Sequence, residues 1–210
     1  MSEPLKIVIT ANGEGSRMKA ISPKPKHLLY YGGKRIIEHI IDAIQPFGEV
    51  FIMDSLNCVP GDSGTLWPLT ESRKHSLELI RDLKNVLIVD CDVIPVFAAE
   101  SFVDPTPKIR RNFDAMVELQ KDAIWCFESD NPKYGGLEIS ETGTLSASKE
   151  RGNGHKYRAS GLYFLKDVGA TVDRMTDQNS IASGMIGARM IFENTFIRVG
   201  DPEDYLNALK

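Results

Sequence analysis

Three short apolar runs rich in β-branched residues, Ile7 to Ile9, Val50 to Met53 and Val86 to Val89, constrain this 210-residue chain more than any other feature. None alternates with polar residues, so each reads as a strand buried on both faces, the habit of parallel sheets. Between the first two, Ile36, Ile37, Ile40, Ile41 and Ile44 recur at helical spacing, and between the second and third the stretch Ser76 to Leu83 is helical in character. Strand, helix, strand order implies right-handed crossovers. The first half is therefore expected to be an open α/β sheet with its ligands at the carboxyl ends of the strands.

The second half is more mixed. Ala123 to Phe127 and Leu137 to Ile139 read as strands divided by the turn-forming Asp130-Asn131-Pro132-Lys133, and Ser160 to Leu165 reads as another. The polar stretch Lys149 to Lys156, with Gly152 and Gly154, reads as a mobile loop. Without an internal repeat or linker, residues 1–210 are expected to form one domain.

Charge narrows the function classes. The formal net charge is −4, with no block of five or six consecutive Lys or Arg, so the field that nucleic-acid binding needs is missing. The opening residues lead into an apolar run too short for a signal peptide or a membrane span, so a cytoplasmic protein is expected. Cys58, Cys91 and Cys126 lack metal-type spacing and read as reduced thiols.

Directly after the first strand comes Thr10-Ala11-Asn12-Gly13-Glu14-Gly15-Ser16-Arg17-Met18. Two glycines let the backbone approach a ligand and turn N–H groups inward, which makes an anion cradle, although a glycine pair after a strand also serves simple turns. Arg17 offers fixed donors to phosphate and Ser16 a hydroxyl. The dinucleotide pattern fails at Met18, and the G-x-x-x-x-G-K-[ST] loop fails because Arg35 follows Gly33-Lys34.

This segment, continued through Ser22-Pro23-Lys24-Pro25-Lys26-His27-Leu28-Leu29-Tyr30-Tyr31-Gly32-Gly33-Lys34-Arg35-Ile36-Ile37-Glu38-His39, resembles the start of the sugar-phosphate nucleotidyltransferases. Their pattern is A-G-x-G-[ST]-R, then P-K-x-L, then G-K-x-x-[IL]-E-H. The resemblance implies a single-domain Rossmann-like (GT-A-like) fold with helices on both faces of a mainly parallel sheet and a small acceptor-binding lobe. It assigns nucleotide binding to residues 1–100 and acceptor binding to 101–210. Ala11, Asn12, Gly13, Gly15 and Ser16 would bind the triphosphate, Arg17 its departing part, and Lys26 the reacting phosphates. Pro23-Lys24 spells the same dipeptide, but Lys26 has the better spacing to Gly33-Lys34. Asn12 departs from the small apolar residue usual in the family.

Mg²⁺ needs hard oxygen ligands at the end of a central strand, and Val89-Asp90-Cys91-Asp92 supplies them. Asp92 matches the family's metal aspartate, in a form similar to capsule-type members. A second metal aspartate would precede a G-x-P-E-D-Y sequence; Gly200-Asp201-Pro202-Glu203-Asp204-Tyr205 preserves that sequence, but Arg198 stands at the aspartate position. Asp201 is open to two readings, substitute ligand or helix N-cap, with Pro202 at the first helical position.

On the acceptor side, Pro132 to Ile139 and Ala159 to Phe164 resemble further family segments, so the resemblance covers most of the chain. It implies acceptor contacts from Tyr134, Gly135, Glu150, Arg151 and Gly161, although Lys149-Glu150-Arg151 also reads as a solvated loop. The segment Ser55 to Arg73 matches least and leaves the base unnamed. Trp67 and Trp125 read as core or pocket walls. The expectation is a Mg²⁺-dependent transfer of a nucleoside monophosphate from a triphosphate to a sugar 1-phosphate or similar acceptor, with no nucleic-acid or membrane partner. Its rivals are a glycosyltransferase using Asp90-Cys91-Asp92 as D-x-D and a non-catalytic nucleotide-binding regulator.

Overall fold

The computed structural model describes residues 5–11, 16–53, 72–95, 115, 118, 120–149, 154–192 and 196–209. Two compact units divide the chain, residues 1–69, 89–110 and 195–210 in one, residues 70–88 and 111–194 in the other.

In the first unit, β1 (Leu5–Thr10) is followed by single 3-10 turns at Ser16–Ala20 and Lys26–Leu28. A short ribbon, β2 (Tyr30–Tyr31) with β3 (Lys34–Arg35), then leads into α1 (Ile36–Ile44) and β4 (Gly48–Met53). Strands β1 and β4 pair in parallel, Leu5 opposite Gly48 through Thr10 opposite Met53. Helix α1 forms where the isoleucine spacing places it: Ile36, Ile37, Ile40 and Ile44 are buried. Its start is fixed by Glu38, whose carboxylate accepts from the Arg35 backbone N–H and guanidinium, both at 2.6 Å. These bonds satisfy an exposed helix terminus.

Strand β5 (Lys84–Asp90) begins in the second unit and ends in the first, where the strand order is β5-β1-β4. Residues Val86 to Asp90 are all buried, as the unbroken apolar run requires. Short β6 (Val93–Pro95) follows and pairs with a strand near the C-terminus, described below.

The second unit begins its described residues with α2 (Arg73–Glu78). This helix starts before the apolar stretch read from sequence, because Ser72 caps it by accepting from the His75 N–H. It also ends sooner. The chain tightens into i→i+3 bonds from Ile80, Arg81 and Leu83, and the Arg81 and Leu83 carbonyls turn to accept from Gly169 and Val168. Strand β7 (Ala123–Glu128), the hairpin β8 (Gly136–Ile139) with β9 (Leu145–Lys149), and β10 (Tyr157–Asp167) come next. A helix at Val168–Arg174 and β11 (Arg189–Phe192) complete this unit, ordered β11-β7-β10-β5. The pairing is mixed: β11 runs parallel to β7, while β10 is antiparallel to β7 and β8. Trp125 and Phe164 lie fully buried in its core, so Trp125 is a packing residue.

The chain returns to the first unit with β12 (Phe196–Arg198), antiparallel to β6 with Arg198 opposite Val93, and a C-terminal helix at Pro202–Ala208. No helix among the described residues is long and apolar enough to cross a membrane.

Candidate functional site

The carboxyl ends of β1 and β5 bring the chemistry-bearing residues of the first unit together. Thr10, the last residue of β1, points its hydroxyl at the end of β5, donating to Asp90 Oδ1 at 3.1 Å and lying 3.4 Å from the Val89 carbonyl. Asp90 is buried there. Two residues on, Asp92 receives Lys26: Nζ donates to Oδ2 at 2.6 Å, and the two side chains are 15% and 14% exposed. Burial pulls the Lys26 pKa down, but the charge of Asp92, the field of Cys91, the hydrogen bond to Asp92 and the field of Asp90 outweigh it. The net shift is upward, so Lys26 carries its charge inside the site.

Lys26 reaches Asp92 because of how its turn is built. Pro25 enters at φ −52 and Lys26 opens a single 3-10 turn closed by Leu28 N–H to Pro25 O and Leu29 N–H to Lys26 O. His27 and Leu29 go inward and anchor it. Lys24, by contrast, is exposed, and its backbone N–H is bonded to the Ser22 hydroxyl. Of the two Pro-Lys registers, the structure pairs only the second with the strand-end acid.

The C-terminal segment closes around Asp92. Val199 N–H donates to the Asp92 carbonyl at 2.9 Å, and Gly200 lies against the carboxylate so closely that a Cβ there would stand 2.6 Å from Oδ2. Asp201 is the N-cap of the following helix, its carboxylate accepting from the Asp204 N–H at 2.9 Å with Pro202 at the first helical position. The capping reading of Asp201 is what the structure shows.

Other sequence-named residues fall as follows. Ala11, expected to bind the triphosphate, is buried and its N–H is committed to the Met53 carbonyl at 2.8 Å, so it continues the strand ladder. Arg17 is exposed on the turn after the glycine loop. Asn12, Gly13 and Gly15 lie outside the described residues, as do Glu150 and Arg151; of Ser16 only the backbone is described.

In the second unit, Tyr134 is held edge-on to Phe127 at 5.4 Å with Lys133 Nζ 5.1 Å from its ring centroid, and the Gly135 carbonyl accepts from Ala159 N–H. Gly161 takes φ +97 at an irregularity in the β10–β7 ladder, a conformation that favours glycine. Sequence reasoning missed Arg158, which is fully buried and donates to the carbonyls of Ser129, Asp130 and Tyr134. Its signal was present: an arginine near the start of a mostly apolar strand needs a reason.

Among the described residues no three His, Cys, Asp or Glu side chains gather to hold a metal ion by themselves. Asp92 nonetheless has the hard oxygen donors that Mg²⁺ takes, and Mg²⁺ commonly binds through one or two carboxylates with water and substrate phosphates completing its shell. The donor set fits a metal that arrives with a triphosphate.

No family model matches the chain. A curated relative, the bifunctional protein GlmU of Marinobacter nauticus, is 26% identical over 160 residues, which is 70% of this chain and 34% of the relative. The chain thus spans about a third of the length of the curated relative it matches. Among solved structures, a UDP-glucose pyrophosphorylase complexed with UDP-glucose superposes with a TM-score of 0.74 at 16% identity, covering 98% of this chain and 97% of that one. HddC from Yersinia pseudotuberculosis gives 0.70 at 17% identity, covering 98% of each chain. UDP-glucose pyrophosphorylase from Acinetobacter baumanii gives 0.75 at 12% identity, covering 98% of this chain and 92% of that one. At such identities the likeness concerns architecture, and it shows that this chain has the α/β fold of the sugar nucleotidyltransferases.

Proposed function

We propose that the chain transfers a nucleoside monophosphate from a nucleoside triphosphate to a sugar 1-phosphate or a similar phosphorylated acceptor, releasing pyrophosphate. The observation that supports this best is the charged Lys26 held 2.6 Å from Asp92 at the carboxyl end of β5. A phosphoryl-transfer site needs a cation and a metal-binding acid side by side.

An oxygen of the acceptor phosphate attacks the α-phosphorus in line; the new P–O bond forms as the bond to the bridging oxygen breaks, and pyrophosphate carries the electron pair away. A phosphate monoester is already ionised near neutral pH, so no general base is required. Gly13, Gly15 and Ser16 cradle the triphosphate, Arg17 meets the leaving pyrophosphate, and Lys26 neutralises charge at the α-phosphate. Asp92 would hold Mg²⁺, which supplies charge neutralisation when bound. For the acceptor contacts the proposal takes the residues that the resemblance implies, Tyr134, Gly135, Glu150, Arg151 and Gly161. With a sugar 1-phosphate the product is a nucleotide sugar, suited to polysaccharide synthesis, and a cytoplasmic location belongs to the same proposal.

The test is a pyrophosphate-release screen of the common triphosphates against a panel of sugar phosphates with and without Mg²⁺. Release that requires both the acceptor and Mg²⁺ supports the reading. Sugar transfer from a nucleotide sugar without pyrophosphate chemistry would favour the D-x-D alternative, and binding without turnover the regulatory one.

A further inference from the structure

The C-terminal segment touches Asp92 on one side and, on the other, Tyr30, which follows the turn that carries Lys26. On one side Val199 N–H bonds the Asp92 backbone, and Gly200 packs on its carboxylate. On the other side the Tyr205 hydroxyl donates to the Tyr30 carbonyl at 2.5 Å, across a sequence separation of 175 residues. Tyr30 directly follows the turn that aims Lys26, and the ring of Tyr205 is itself buried. The Asp201 cap and the Tyr205 N–H to Asp201 O bond fix the first helical turn between these two contacts. One short stretch, 199–205, therefore grips the acid at one end and the turn bearing the cation at the other.

We infer that this stretch is a brace that sets the spacing of Lys26 and Asp92, with Tyr205 as a positioning residue acting through the Tyr30 carbonyl. The hydroxyl would be a poor choice for packing alone, since a phenyl ring fills the same space and carries no polar atom that needs a partner. What the hydroxyl adds is direction: it ties the end of the Lys26 turn to the helix that begins beside Asp92. Without it, Lys26 keeps its charge but loses a fixed position relative to the carboxylate. The kinetic consequence rests on the transfer reaction proposed above; the positional one does not.

The experiment is pulse acetylation of lysines with acetic anhydride, read residue by residue by mass spectrometry, on the full chain and on Tyr205→Phe. The expected result is a rise in Lys26 labelling of roughly 2- to 10-fold, the scale of one lost hydrogen bond. Lys24 and Lys34 should label unchanged, and the melting temperature should stay close to that of the unaltered chain. Unchanged Lys26 labelling in folded Tyr205→Phe overturns the inference. Should that variant fail to fold, Asp201→Ala beside Asp201→Asn decides, because only alanine removes the acceptor that fixes the helix carrying Tyr205: higher Lys26 labelling in the alanine variant supports the brace, and equal labelling in the two overturns it. Kinetics on the same Tyr205→Phe protein should show a lower kcat with the triphosphate KM little altered. If no pair of substrates turns over, the proposed reaction fails while the labelling still decides the brace.

Discussion

A methyl group on Gly200 would stand 2.6 Å from Asp92 Oδ2 and 3.2 Å from its carboxyl carbon. Both distances are shorter than ordinary van der Waals contact, and the group that must yield is the far end of the Asp92 side chain, which Lys26 holds. Gly200→Ala should therefore fold, because the Asp92 carboxylate can swing aside, but the swing separates it from Lys26. We expect a melting temperature close to that of the unaltered chain and turnover reduced at least ~10-fold, the scale on which misplacing a catalytic group acts. Differential scanning calorimetry with steady-state pyrophosphate release measures both; unchanged turnover would show that the position of the carboxylate does not matter.

Lys26→Ala should abolish turnover, while Lys24→Ala should be mild. Only Lys26 enters the site, and Lys24 is exposed. Removing a cation that stabilises developing phosphate charge costs on the order of 10²-fold or more. Steady-state rates decide the point, and equal losses for the two variants would move the catalytic role away from the Asp92 pair.

The core strands could be read from sequence because burial on both faces leaves an unbroken apolar run, as in Val86 to Val89 and Ile7 to Ile9. Helix α1 was legible for the same reason, its isoleucines marking one face. Strands such as Leu145–Lys149 and Phe196–Arg198 carry too few apolar residues to stand out, and the second pairs with β6, far away in sequence. Helix α2 was misplaced because its ends are decided by the Ser72 cap and by Gly169 and Val168, none of which belongs to its apolar pattern. In the site, Lys26 and Asp92 were legible as residue types with a chemistry. The contacts of Gly200 with Asp92, Thr10 with Asp90 and Tyr205 with Tyr30 were not, because they join segments that only the fold makes neighbours.

Asp92→Asn should lose Mg²⁺-dependent turnover without unfolding the chain. The amide keeps the shape of the carboxylate but removes the charge that holds Lys26 and would hold the metal. Circular dichroism should be unchanged, and the residual rate should no longer respond to added Mg²⁺. Full activity of the unaltered chain in chelator would remove the metal role from Asp92 altogether.

The start of α1 should respond to acid. The hydrogen bond from the Arg35 side chain, then that from its backbone N–H, hold the Glu38 carboxyl down to about 2, against an ordinary 4.5. A depressed acid contributes its stability above its unfolded pKa and loses it as pH falls through the folded one. The contribution is therefore complete above about 4.5 and erodes towards about 2. Glu38→Gln should show a shallower fall in melting temperature across that window. Identical profiles for the two proteins would mean that the Arg35 bonds do not persist in solution.

Asp201→Asn should be catalytically mild and Asp201→Ala destabilising, a contrast that separates a helix cap from a metal ligand. The carboxylate accepts from Asp204 N–H at 2.9 Å, and Pro202 occupies the first helical position. Asparagine caps about as well as aspartate, so Asn preserves this bond while removing charge. Alanine removes the acceptor and should cost about 1 kcal/mol, the usual loss for an N-cap. That loss would also loosen the helix that carries Tyr205, so Asp201→Ala should reduce turnover more than Asp201→Asn does, through position and not through metal affinity. Arg198, opposite Val93 at the start of β6, cannot ligate Mg²⁺ because a guanidinium has no acceptor. Magnesium titrations of the two variants settle the assignment. The cap predicts the same Mg²⁺ requirement in both, whereas an Asn variant that folds normally, demands far more Mg²⁺ and loses as much turnover as Asp92→Asn would make Asp201 the second ligand.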